Sequence, residues 1–205
     1  MSFLTKIKLG NVTNLSDARY AAAVGINYIG FCFDPSGHNY IAPIKAKEMM
    51  DWITGSYIVA EFGHQSFSEI NDISELLNVN VIELDNRLLP DELPAFGKPI
   101  IKKIDISVFD FDQLKTEIES YKEVCDAFHL YNSGLPTHLT EMQLKELFAN
   151  NQVIWGFDVS DETIKEIINV YQPFALNISG GMEEKTGIKD FDELNELLDT
   201  ITIED

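Results

Sequence analysis

The sequence predicts an α/β fold, a compact (β/α)8 barrel forming one domain over residues 1–205. Three observations predict it. Short apolar runs rich in β-branched and aromatic residues alternate with longer segments of helical period. Eight such runs can be read along the chain, separated by connections long enough for parallel crossovers. The length of 205 residues falls at the short end of the range for this fold, which starts near 200 residues, so little remains for an inserted domain. A doubly wound open sheet shares the alternation and stays open as the alternative, although the first βα turn lacks the GxGxxG pattern. Either architecture places a ligand site at the carboxyl ends of the strands.

Strands are expected at residues 7–9, 28–33, 57–62, 81–84, 100–104, 127–131, 153–157 and 174–178. Helices are expected at 17–24, 43–53, 67–77, 111–122, 141–149, 161–170 and 191–198. The unit after the fourth strand is the exception, because Pro90 and Pro94 limit a helix there to about one turn. Three helix starts carry a capping-box pair in which the first side chain accepts from an orphan amide and the other reaches back. They are Ser66 with Glu69, Thr140 with Gln143, and Asp190 with Glu193.

Fifteen basic against thirty-four acidic residues leave a net charge of −19. Such a field repels phosphate backbones and anionic lipid, which argues against nucleic acid or a membrane surface as partner. A small anion held locally by backbone amides is not excluded by it. No apolar run reaches the roughly 18 residues that span a bilayer, and the first residues do not read as a signal peptide. Cys32 and Cys125 cannot build a disulfide framework or a zinc cage, so a cytoplasmic protein without metal is expected.

The end of strand eight is the most informative segment. Ser179, Gly180 and Gly181 expose amides with little side-chain interference, which suits either a phosphate or a simple turn. Residues 176–183 read Leu-Asn-Ile-Ser-Gly-Gly-Met-Glu, and Gly187-Ile188-Lys189-Asp190 follow. This resembles the V-D-V-S-S-G-V-E then G-x-K-D pattern of the phosphoribosylanthranilate isomerase family, matching at Ser179, Gly181, Glu183, Gly187, Lys189 and Asp190. Residues 8–18 align without a gap to a K-V-C-G-M-T-N-P-E-D-A start. Residues 59–66 are similar to a V-G-V-F-V-N-Q-S segment, keeping Phe62, Gln65 and Ser66.

The resemblance implies a small (β/α)8 barrel of tryptophan biosynthesis. Its reaction is an Amadori rearrangement of a phosphoribosyl amine, with a phosphosugar-type ligand and no cofactor. It also implies that a cysteine closing strand one is the base and an aspartate closing strand six the acid. Here those positions are Gly10 and Tyr131. A serine-proline-arginine after strand two becomes Gly37-His38-Asn39, Q-L-H-G after strand four becomes Glu83-Leu84-Asp85-Asn86, and a double glycine after strand seven becomes Gly156-Phe157.

Substitute catalytic groups are therefore sought among Tyr131, His129 and Asp85, with Ser179, Gly180, Gly181, Glu183 and Gly156 for the phosphate. His129 and Tyr131 share one strand face, so His129 is either an acid–base group or a hydrogen-bonded interior residue. Asp85 and Asp105 end strands four and five, where carboxylates sharing a cavity would shift each other. Lys8 shares a face with Gly10, and either binds an anion or neutralises Glu83. Cys32, between Phe31 and Phe33, reads as a structural thiol. Two functional readings follow: an isomerase with a rearranged catalytic set, or a non-catalytic barrel binding a phosphorylated metabolite or a partner protein.

Overall fold

The computed structural model describes residues 2–85, 88–135, 137–179, 183–185, 188–189 and 191–203. Strands β1 (Lys6–Gly10), β2 (Tyr28–Cys32), β3 (Tyr57–Phe62), β4 (Val81–Leu84), β5 (Ile100–Asp105), β6 (Ala127–Tyr131), β7 (Val153–Gly156) and β8 (Ala175–Ser179) pair in chain order. Every pair is parallel, and β8 pairs with β1 to close the barrel. The open-sheet alternative is thereby excluded. Helices α1 (Leu15–Val24), α2 (Pro43–Met50), α3 (Phe67–Leu77), α4 (Phe111–Tyr121), α5 (Glu141–Asn150) and α6 (Ile164–Tyr171) lie between strands, and α7 (Asp192–Ile201) follows the last. Among the described residues, the crossover after β4 holds only the 3-10 turn Leu93–Phe96, as Pro90 and Pro94 dictate.

The closed sheet divides the apolar residues into two cores. Ile82, Leu84, Ile104, Leu130 and their neighbours point outward and pack under the helices. A smaller cluster of Val59, Val81, Ile101, Ala127, Ile154 and Ala175 fills the barrel interior. Parallel partners in register point to the same face, so each strand's inward residues continue from this apolar floor toward the mouth. Above it the alternation delivers Lys8, Glu61, Glu83, His129 and Asn177 to the interior. A barrel filled with charge at mid-height departs from the usual packing of branched aliphatic residues.

Local chemistry explains where the helices begin. Asn14 caps α1 by accepting from the Asp17 amide, so α1 starts two residues before the expected position. Gly25 ends it at φ 85, where a Cβ would be strained. The boxes Ser66/Glu69 and Thr140/Gln143 form, and Asp110/Gln113 adds one that the sequence reading missed. Asp190 lies outside the described residues, and α7 opens instead behind Phe191. Between β8 and α7, β9 (Glu183–Lys185) and β10 (Ile188–Lys189) pair antiparallel, where no strand was expected. Asp110→Ala removes a 2.9 Å cap to the Gln113 amide and is expected to cost about 1 kcal/mol by urea unfolding.

Candidate active site

At the barrel mouth, a cavity of about 240 Å³ opens above the strand ends, with Asn11, Cys32, Asp34, Glu61, Asp85 and Lys103 in its wall. Asp85 follows β4 and Tyr131 closes β6. The Tyr131 hydroxyl donates to Asp85 Oδ2 at 3.1 Å, and Lys103 Nζ stands 4.0 Å from the same oxygen and 4.6 Å from the Tyr131 ring centroid. Burial pushes the Asp85 carboxyl up, against the opposing pull of Lys103 and the Tyr131 hydrogen bond. Burial and the neighbouring Asp85 both push the Tyr131 phenol up. Tyr131 therefore stays protonated and donates, while Asp85 is the group poised to exchange a proton.

One layer deeper, His129 is 3% exposed, and its Nδ1 lies 3.1 Å from Glu83 Oε1. Burial lowers the imidazole pKa, so the ring is neutral and Nδ1–H donates to the carboxylate. Among the described residues His129 Nε2 has no hydrogen-bond partner. A Cβ added to Gly156 would come within 2.4 Å of that nitrogen, so this glycine gives the imidazole its room.

Lys8 joins the two acidic strands. Its ammonium lies 2.5 Å from Glu61 Oε1, 3.1 Å from Glu83 Oε2 and 3.0 Å from Asn177 Oδ1. Of the two roles open to Lys8, the structure shows neutralisation of carboxylates. Burial opposes its charge, but Glu61 and Glu83 overcome that and raise its pKa. Glu83 is held well below the usual carboxylate range by Lys8 and His129 despite its burial. The second Glu61 oxygen accepts from the Asn11 amide at 3.1 Å, and Asn11 adopts a left-handed φ of 57 to present it.

Glu61 is the residue that sequence reasoning missed. The available signal was a carboxylate at an inward position of β3, where the resembling segment has valine.

Asp105 lines a second cavity together with Asp85, as expected, but against the upward push of burial its carboxyl is held low by the Ser107 amide and hydroxyl, from which it accepts. Cys32 is half-buried and lines the mouth cavity, in contrast to the expected packing role; burial pushes its thiol up. Cys125 is pushed up to about 12 by burial and lies away from the mouth. Ser179 ends β8 opposite Gly10, and Glu183 begins β9. Gly180 and Gly181 lie outside the described residues. Among the described residues, no three His, Cys, Asp or Glu side chains are grouped to hold a metal ion.

The fold and this cluster of acid–base groups define a (β/α)8 barrel with its polar site at the C-terminal mouth. A family model for N-(5'-phosphoribosyl)anthranilate isomerase matches residues 7–200, and the chain belongs to that family. The isomerase of Aquifex aeolicus is 26% identical, covering 95% of this chain and 97% of its own. That of Syntrophus aciditrophicus is 25% identical over 95% of this chain and 86% of its own. The crystal structure of the Thermus thermophilus isomerase superposes with a TM-score of 0.79 at 24% identity, covering 96% and 98% of the two chains. A further isomerase structure, in complex with reduced 1-(o-carboxyphenylamino)-1-deoxyribulose 5-phosphate, gives a TM-score of 0.79 at 20% identity over 96% and 97%. Among the described residues no helix is long and apolar enough to cross a membrane.

Proposed function

We propose that this protein isomerises N-(5'-phosphoribosyl)anthranilate in the cytoplasmic synthesis of tryptophan, by an Amadori rearrangement in the mouth cavity. The observation that carries the reading is the Asp85–Tyr131 pair, formed where the family resemblance places the acid. Asp85, its carboxyl raised by burial, protonates the ribose ring oxygen. The C1–O bond then breaks, and the nitrogen lone pair forms an iminium at C1. Loss of the C2 proton gives an enaminol, which ketonises by gaining a proton at C1 and losing one from the C2 hydroxyl. Tyr131 orients Asp85, and His129 acts one layer below by holding Glu83 in place. The phosphate is assigned to Ser179, Gly180, Gly181, Glu183 and Gly156, on the sequence pattern that the strand-eight end shares with the family. The complex of the related isomerase with a phosphorylated compound supports the ligand class.

The test is turnover of freshly generated phosphoribosylanthranilate, followed by loss of substrate fluorescence. Asp85→Asn is expected to lower kcat by about 10²–10⁴-fold, the usual contribution of a general acid. Wild-type kcat/KM should fall as pH rises through the Asp85 pKa, because the acid must be protonated. Tyr131→Phe deletes a hydrogen bond that favours the carboxylate, so this limb should move to higher pH. Absence of wild-type turnover at high enzyme concentration, or an Asp85→Asn variant with full activity, would reject the proposal.

A further inference from the structure

We propose that Glu61 is the base of this barrel, its carboxylate filling the space that a side chain on residue 10 would need. The inference rests on the isomerase reading above and supplies the proton acceptor that reading leaves unassigned. A Cβ built on Gly10 would lie 3.1 Å from Glu61 Oε1, and one built on Gly30 only 2.1 Å from the same atom. The two glycines stand side by side on β1 and β2, and together they clear a volume that Glu61 enters from β3. Relative to the resembling patterns, the chain has exchanged cysteine for glycine at position 10 and valine for glutamate at position 61. A reactive group has left one strand and another has arrived beside the vacant place.

Three features suit Glu61 to the role. It lines the same cavity as Asp85, so acid and base border one substrate volume. It is 8% exposed, yet each oxygen is fixed, Oε1 by Lys8 and Oε2 by the Asn11 amide. A carboxylate has about four lone-pair sites, so these bonds leave acceptor capacity for a substrate proton. Glu61 takes the C2 proton as the C2–H electron pair forms C1=C2 and neutralises the iminium nitrogen. Protonated Glu61 then returns its proton to C1, the C2 hydroxyl proton passes to water, and water reprotonates Asp85. Lys8 stays an ammonium throughout and anchors the carboxylate.

The experiment uses the full chain with phosphoribosylanthranilate carrying hydrogen or deuterium at C2. Glu61→Gln should lose about 10²–10⁴-fold in kcat. It should still bind reduced 1-(o-carboxyphenylamino)-1-deoxyribulose 5-phosphate about as tightly as wild type, because the interaction it removes is one made in the transition state. Glu61→Gly should regain turnover with added formate, saturably and with a C2 deuterium isotope effect; a merely structural glutamate predicts neither. If Glu61→Gln does not fold, Glu61→Asp keeps the charge and should lose kcat with KM unchanged. An active wild type with near-normal Glu61→Gln or Glu61→Asp turnover, or with no formate rescue of folded Glu61→Gly, overturns this inference alone. An inactive wild type overturns the isomerase reading and this one with it.

Discussion

Lys8→Met is expected to destabilise the protein by about 3–5 kcal/mol, the range for removing one partner from a buried ionic group. Lys8 is 1% exposed and bridges Glu61 and Glu83, which are themselves 8% and 2% exposed. Without it, two carboxylates face each other inside the barrel, and His129 is neutral. The pH dependence separates this effect from simple loss of packing. In the wild type, Glu83 has a depressed pKa, so its contribution is present above the unfolded value of about 4.3 and is lost as pH falls below it. In the variant the buried Glu83 carboxyl, without the Lys8 charge that holds it down, should titrate above its unfolded value. Its penalty is then relieved at low pH and grows as pH rises. His129 also gains a proton more readily beside an unneutralised Glu83, which works in the same direction. Urea unfolding of both proteins between pH 5 and pH 8, spanning the His and shifted carboxyl range, should therefore show the variant's deficit widening with pH. A deficit that is constant or narrows would show that Lys8 does not neutralise this cluster.

How much of this was legible in the sequence depends on the kind of interaction. Periodicity reports which face a residue occupies, and that sufficed for eight strands and for an inward Lys8, with Glu83 one of the two partners open to it, while Pro90 and Pro94 marked the short crossover. Helix starts were misjudged where a local cap competes with the apolar pattern, as at Asn14, whose side chain begins α1 early. Contacts between strands were harder, because they depend on the stagger of the closed sheet. No spacing in the sequence says that Glu61 on β3 reaches past β2 to Gly10 on β1, and yet that contact shapes the site. Gly156 shows the same difficulty: the sequence offers it as half of a phosphate cradle, while the fold places it where His129 needs space.

Substitutions at the two glycines should expose that hidden contact. Gly30→Ala is expected to cost about 2–4 kcal/mol, because overpacking alone costs about 1–3 kcal/mol and here it also pries apart a buried ion pair. The new methyl would lie 2.1 Å from Glu61 Oε1, 2.7 Å from its Cδ and 3.3 Å from the Gly10 Cα, so the carboxylate must leave Lys8. Gly10→Cys is the more instructive change, since it restores the residue that the family resemblance calls for. Its Cβ would meet Asn177 Oδ1 at 2.8 Å, Glu61 Oε1 at 3.1 Å and Lys8 Nζ at 3.2 Å, all of them ends of side chains. The thiol should therefore displace the cluster, lowering stability by about 1–3 kcal/mol without raising turnover. Glu61→Val in the same molecule removes the carboxylate in the way and leaves Lys8 paired with Glu83. Unfolding energies around the cycle of Gly10→Cys, Glu61→Val and the double variant should then be non-additive by about 0.5–3 kcal/mol, with the double variant more stable than the sum of the single losses predicts. Strict additivity would mean that positions 10 and 61 do not compete for one space, and the exchange of thiol for carboxylate would lose its physical basis.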